Sequence, residues 1–423
     1  MAFDGTIPMS KPALMTAAAA LVMYDRAVAA CDVIGKASAA DALAAVLRAK
    51  SAPKAKASGP LADLRAAFKV LLKAADTKSS IPQLSQVLMV ANGDALALST
   101  TDGDQETTVT VAFPGVGEWA ACVEAKRFSN LIAKGSGELS LDYDGAQLLI
   151  HLDDMLTTMK TADAEDFPAI DPEGLGEAAT VPAAAFADAL AFARVAVSTE
   201  ETRYYLNGVY MHTPVHGPTK PIVLVSTDGH RLQRVEIERP AGFPIMESGV
   251  IIRRAAVDSI LAALDKADGD VSIQMSRTHI RFQIGETVLT SSLIDGAFPD
   301  YVRVIPTRFD GEVLMTAEAL DKSVERLMKV SPVKTKSVLL EVRPTVVVCT
   351  AHDMGGDEAT SEVPASRDGD PITVAFQGNY LRDVCAAYKG QNLVMQYTSE
   401  SSPSVFRDPT TPDRLSVVMP IRW

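Results

Sequence analysis

The sequence predicts an α+β chain made of three repeated domains, each with two helices packed on an antiparallel sheet. Two recurrences and the chain's length carry that prediction. Each unit opens with an apolar helix, over 61–75, 183–195 and 317–329, and continues into paired apolar strands. Each unit then closes with a second short helix, an alternating strand and a proline-bearing terminus. From that helix to the proline is about 40 residues each time, one supersecondary plan used three times. A chain of 423 residues also exceeds one ordinary core.

Taken in order, residues 1 to 60 are rich in alanine, with helical stretches over 15–33 and 39–50 and a linker-like SAPKAKASGP over 51–60. The first strands of the units fall at 84–90, 206–211 and 337–342, and the second strands at 96–103, 223–229 and 346–355. Thr101-Asp102-Gly103 echoes Thr227-Asp228-Gly229, with His352-Asp353 as a loose counterpart. The second helices show apolar residues at helical spacing: Phe128, Leu131 and Ile132; Val257, Ile260, Leu261 and Leu264; Leu381, Val384, Cys385 and Tyr388. Alternating strands follow at 139–143, 271–275 and 393–397, then Phe167-Pro168, Phe298-Pro299 and Met419-Pro420. The domains are thus 1–172, including the alanine-rich segment, 178–306 and 311–423, joined by short linkers near 171–178 and 306–311.

Residues 224–235 (LVSTDGHRLQRV) read as a hairpin whose Asp228-Gly229 turn suits positive φ. Its polar centre presents Thr227, His230 and Arg231 outside the core. Catalysis finds little support: no G-x-S-x-G, H-E-x-x-H, Walker A or G-x-G-x-x-G pattern is present. The histidines lack ligand spacing. His212 and His216 are four apart, but Pro214 and Gly217 place them in a loop, so turn histidines making hydrogen bonds are the plainer reading. No metal or cofactor is expected. Cys31, Cys122, Cys349 and Cys385 are scattered, as for reduced thiols in a cytoplasm. No apolar run is long enough to cross a bilayer, so no membrane partner is expected.

A formal net charge of −13 argues against coating nucleic acid, yet it leaves room for a local basic lining. Basic residues recur on or beside the helices: Lys73 and Lys78; Lys126, Arg127 and Lys134; Arg253, Arg254 and Lys266; Arg326, Lys329, Lys334 and Lys336; Arg382 and Lys389. Alone they would be solvated helix faces. If the three units curve with their helices on one side, they line a channel that attracts phosphates without reading sequence. Tyr204 and Tyr205 stand near it or in the core. Leu206, Thr227, Gly229, Leu232, Pro299, Val304 and the apolar tail 417–423 outline either a groove for an extended peptide or a last strand completing a sheet.

Four stretches together carry a resemblance: RYYLNG over 203–208, STDGHRL over 226–232, LIDGAFPDY over 293–301 and VVMPIR over 417–422. In this order they resemble the bacterial DNA polymerase III β subunit, the sliding-clamp family, over about residues 60–423. The resemblance implies three DNA-clamp domains in a head-to-tail homodimeric ring that encircles double-stranded DNA without covalent chemistry. It implies a clamp loader, a replicative polymerase and other partners bound by short peptides. The peptide pocket would be Leu206, Thr227, Gly229, His230, Arg231, Leu232, Pro299, Arg303, Val304, Tyr380, Val417, Val418, Met419, Pro420, Ile421 and Arg422. Lys78, Lys126, Tyr204, Tyr205, Arg253 and Arg254 would face DNA, and Met155, Leu156, Lys329 and Val330 the second copy. The alternative is a paralogue that binds partner peptides without encircling DNA.

The chain departs from the family pattern in three places. Residues 7–14 (IPMSKPAL) resemble a clamp's opening strand and helix start, so the alanine-rich segment is an insertion in the first domain or an added arm. Glu200 puts a negative charge where a neutral polar residue near DNA is usual. Asp153 and Asp154 precede the expected dimer strand, where basic and aromatic residues are usual.

Overall fold

The computed structural model describes residues 57–59, 61–214, 220–265, 267–330, 336–352 and 355–423. The N-terminal helical stretches, residues 7–14, His216, Lys266, Lys334, Asp353 and the Val330 side chain lie outside the described residues. Six helices are described: α1 (Leu61–Ala74), α2 (Ala125–Ala133), α3 (Ala183–Arg194), α4 (Arg254–Leu264), α5 (Ala317–Val330) and α6 (Gly378–Ala387). All follow the expected pattern. The chain divides into two compact units. One holds the described residues up to Ala183 with Asp258–Ser292, the other Ala184–Val257 with Leu293–Trp423.

In the first unit, α1 turns Leu64, Phe68 and Leu71 inward, an i, i+4, i+7 stripe that is fully buried. Phe68 stacks on Phe128 of α2 at 5.3 Å. Arg65 donates to the carbonyls of Ile132, at 2.8 Å, and Gly135, so a side chain of one helix satisfies the open C-terminal end of the other. The N-terminus of α2 is capped by Glu124, whose carboxylate accepts from the Arg127 amide at 3.0 Å.

These helices pack on a long hairpin, Gln86–Thr101 with Gln105–Glu124. The sequence suggests two strands where the structure has one continuous strand, because Asn92-Gly93-Asp94 looks like a break. Gly93 instead takes φ +63 and absorbs a register shift, while Asp94 accepts from the Gly115 amide at 2.7 Å. The far end of this hairpin pairs with Thr287–Ser292, building a six-stranded antiparallel sheet.

A four-stranded sheet completes the unit, in the order Ala57–Gly59, Leu139–Tyr143, Gln147–Leu152, Met155–Lys160. Ala57–Gly59 pairs with Leu139–Leu141 immediately before α1. Ala57–Gly59 thus supplies a strand beside that helix.

The second unit is dominated by a twelve-stranded antiparallel sheet. Its middle and last repeats are joined by the pairing of Arg231–Ile237 with Arg414–Val418, in the register Arg231↔Val418, Leu232↔Val417. The strands of the middle repeat are shared out: Gly208–His212, Ile222–Thr227, Arg231–Ile237 and Val250–Arg253 join this sheet, while Ala179–Pro182, Asp270–Met275, His279–Ile284 and Thr287–Ser292 join the six-stranded one. The antiparallel sheets expected of the repeats are thus continuous with one another, because strands pair onward with those of the neighbouring repeat. Leu232, Val417, Val405 and Tyr301 share one buried cluster beneath the junction. α5 and α6 pack together, and Arg382 reaches Asp321 at 2.9 Å. Among the described residues no helix is long and apolar enough to cross a membrane.

Candidate functional site

The site is built on the 226–232 hairpin. Gly229 sits at φ +88, a left-handed conformation that an L side chain adopts only with strain. Asp228 Oδ1 accepts from the amides of His230, at 2.9 Å, and Arg231, at 3.0 Å. Thr227 Oγ1 donates to the Arg231 carbonyl at 2.7 Å and accepts from the Gly229 amide at 3.1 Å. Asp228 Oδ2 takes the Arg231 Nε at 3.0 Å.

The echo at Thr101-Asp102-Gly103 is the same device. Thr101 Oγ1 donates to the Gln105 carbonyl at 2.7 Å, and Asp102 Oδ1 accepts from the amides of Asp104 and Gln105, both at 2.9 Å. Gln105 Nε2 donates to Asp102 Oδ2 at 2.9 Å, where Arg231 does so in the hairpin. Asp228 is thus engaged in turn geometry and has no arrangement with His230 suited to proton transfer. Among the described residues no group of three or more His, Cys, Asp and Glu side chains could hold a metal ion.

Arg231 has donors that Gln105 lacks. Nη1 reaches Asp383 of α6, and the guanidinium lies 4.6 Å from the centre of the Tyr380 ring. The exposed His230 ring stacks loosely on the other partner of this group, with centroids 6.4 Å apart from Tyr380. Burial pushes the Tyr380 phenol up from its usual range, with Asp228 adding to the effect. Tyr380 and Asp383 are three residues apart on one helix face, a spacing that brings both to the hairpin.

The C-terminal tail closes the site. Val417 pairs with Leu232 on one side and Val405 on the other. The Met419 amide then donates to the His230 carbonyl, and the Ile421 amide to that of Ala375, both at 2.8 Å. Trp423 rests against His352, centroids 5.1 Å apart. Leu206, Leu232, Val417 and Val418 are buried, and Leu232 and Val417 share one apolar cluster. Thr227, Arg231, Tyr380, Pro420 and Ile421 are half-buried. Gly229, His230, Pro299 and Arg422 are exposed, as are Val304 at 50 % and Met419 at 37 %. Arg303, also exposed, pairs with Asp300 at 2.7 Å. Buried apolar residues thus lie close in sequence to exposed apolar and cationic ones along the hairpin and the tail.

Residues 180–300 match the description "DNA polymerase III beta subunit, central domain", and residues 302–422 match its C-terminal domain. The beta sliding clamp of Caulobacter vibrioides is 34 % identical over 352 residues, covering 82 % of this chain and 94 % of the relative. The chain belongs to the DNA polymerase III β-subunit family. The Escherichia coli beta sliding clamp is 28 % identical over 353 residues, covering 82 % of this chain and 93 % of its own length. The crystal structure of the Caulobacter crescentus clamp superposes with a TM-score of 0.81 at 32 % identity, covering 88 % of this chain and all of that one. A clamp from Bartonella birtlesii bound to griselimycin gives 0.82 at 29 %, with the same coverage. The function is that of a sliding clamp.

The other positions implied by the clamp resemblance fall as follows. In the first unit Lys78 and Lys126 are exposed. In the second, Tyr204 is 54 % exposed, with Tyr205 edge-on to it at 5.8 Å. Arg254 is exposed at the start of α4, and Arg253 is half-buried. Met155 and Leu156, 41 % and 58 % exposed, lie on the outer strand of the four-stranded sheet. Lys329 is exposed near the end of α5. Asp153 turns away from that strand. It sits at φ +54 and accepts from the Ser136 amide at 3.0 Å, which explains an acid at this position. Asp383 stands outside the residues named from the sequence, its i, i+3 relation to Tyr380 being the available signal. Arg203 opens the 203–208 stretch but has no role of its own in the sequence pattern; its guanidinium lies where a Cβ on Gly229 would meet it at 2.7 Å.

Proposed function

We propose that two copies of this clamp close head to tail around duplex DNA. The surface beside the 226–232 hairpin then holds short peptides of a replicative polymerase, a clamp loader and other partners. The C-terminal tail is the observation that supports this most. Its backbone is fixed to His230 and Ala375, which leaves Met419 exposed next to the buried Val417 and Val418. The duplex faces Lys78, Lys126, Tyr204, Tyr205, Arg253 and Arg254. Met155 and Leu156 of one copy meet Lys329 and Val330 of the other. Three clamp domains, with boundaries near 172–178 and 306–311, carry these surfaces. The ring is not an enzyme and acts in the cytoplasm.

A closed ring holds DNA by topology, so an acidic chain can serve. Loaded protein should stay on closed circular DNA through high salt and run off linear ends. Equal loss from both templates would sink the ring. Light scattering should give twice the 44.9 kDa of one chain, about 90 kDa; the mass of a single chain would mark a peptide-binding paralogue instead.

A further inference from the structure

We infer that Glu200 restrains duplex binding by holding Arg203 as an internal substitute for phosphate. The inference rests on the clamp reading, which turns the segment Glu201–Leu206 toward DNA through Tyr204 and Tyr205. That segment is two short 3-10 turns joined by a kink, where Arg203 sits at φ −113° and ψ 51°. The Arg203 Nε lies 3.4 Å from a Glu200 carboxylate oxygen, both side chains about half exposed.

Glu200 holds the position that caps this turn, yet its side chain makes no capping hydrogen bond. The carboxylate is directed to Arg203 instead. The backbone of Glu200 is fixed independently. Its amide donates to Ser198 Oγ at 3.1 Å, and its carbonyl accepts from Asn207 Nδ2 at 3.1 Å and from the Arg203 amide at 3.3 Å. A glutamine can therefore replace Glu200 with the turn intact.

Arg203 is also placed beside the peptide site, against Gly229 of the hairpin. Arg203, the chain neighbour of the exposed Tyr204, is thus engaged by a carboxylate at the start of its own turn. A DNA phosphate must displace that carboxylate to gain a charge-assisted bond, and the counterion release of that contact is lost while the pair persists. Glu200 acts through Arg203, which distinguishes it from an acid that merely repels DNA at a distance.

The test is fluorescence anisotropy of a short linear duplex with full-length wild type, Glu200→Gln, Arg203→Gln and the double variant, over a salt series. Circular dichroism and light scattering confirm equal folding and mass. Glu200→Gln should bind about two- to fivefold tighter at low salt, the range of an exposed ion pair. Its salt slope should steepen by about 0.9, one phosphate contact. The double variant should match Arg203→Gln, because removing Glu200 has no effect once its partner is gone. The same gain from Glu200→Gln with and without Arg203 would overturn the inference and leave generic repulsion. No duplex binding by any of the four proteins at low salt would overturn the inference alone, because the clamp reading is judged separately by retention on closed circular DNA.

Discussion

Replacing Arg231 should separate two roles that one side chain combines. Its Nε serves the turn, 3.0 Å from Asp228, while Nη1 and the guanidinium face serve α6, on Asp383 and 4.6 Å from the Tyr380 centroid. Gln105 fulfils the first role alone, 2.9 Å from Asp102. Arg231→Gln therefore keeps the turn and loses the helix contacts, whereas Arg231→Ala loses both. The Asp383 carboxylate is 45 % exposed, so screening limits that arm to about 0–1 kcal/mol, and the ring contact adds about 0.5–1. The Asp228 bond joins side chains only 14 % and 17 % exposed and is charge-assisted, about 1.5–3 kcal/mol. Arg231→Gln should loosen the hairpin by about 1 kcal/mol and Arg231→Ala by about 3, with tenfold for each 1.4 kcal/mol. Amide hydrogen exchange over residues 224–236 of the full-length protein reads such local opening. The expected accelerations are roughly fivefold and roughly hundredfold. Equal acceleration by the two variants would refute the division of roles, and none from Arg231→Ala would refute Arg231 as a tether.

Three further outcomes are expected. Deleting residues 419–423 removes the bonds to His230 and Ala375. It should cost a polymerase-derived clamp-binding peptide about 2 kcal/mol or more while the mass stays that of a dimer; unchanged affinity would move the partner site elsewhere. His212, bonded to the Tyr301 hydroxyl at 2.9 Å, has its pKa lowered from 6.5, chiefly by burial. The unfolded chain then takes the proton first, so this stability is present above pH 6.5 and lost as pH falls below it, a decline that His212→Gln should flatten in melting curves. Burial pushes the Cys122 thiol up to about 12 and Cys349 to about 11, and raises Cys385 further. Mass spectrometry after alkylation at neutral pH should find these three unmodified in the native protein and modified once it is unfolded.

Helix positions were legible because apolar spacing alone sets which face is buried, as Leu64, Phe68 and Leu71 illustrate. Strand continuity was not, since Asn92-Gly93-Asp94 has the composition of a turn and only the partner strand decides that it is a bulge. The sharing of the middle repeat between two sheets was equally hidden: edge pairing depends on neighbours distant in sequence, such as Val417 beside Leu232. The rim of the site was readable as motif, but its scaffolding was not. The hairpin pattern offers Arg231 to a guest, yet two carboxylates and an aromatic ring already engage it. Its reach to Asp383 crosses 152 residues of chain, and no local pattern announces such a contact.

The acidity of the chain and its sliding function fit together through the same kind of pairing. On α5 and α6, where sequence places cations at helical spacing, Arg382 is held by Asp321 at 2.9 Å and Glu325 at 3.9 Å. Lys322 is paired with Glu318 at 2.6 Å. Arg203 is held by Glu200. Each phosphate contact that a protein makes adds a salt-dependent hold on DNA and a barrier to moving along it. A ring retained by closure has no need of that hold, and one with too many such contacts would stall. Wherever such pairs face the duplex, as proposed for Arg203, they would weaken the protein's hold on phosphate. A net charge of −13 is then compatible with a duplex at the centre, because retention comes from the closed circuit and mobility from the weakness of each local contact.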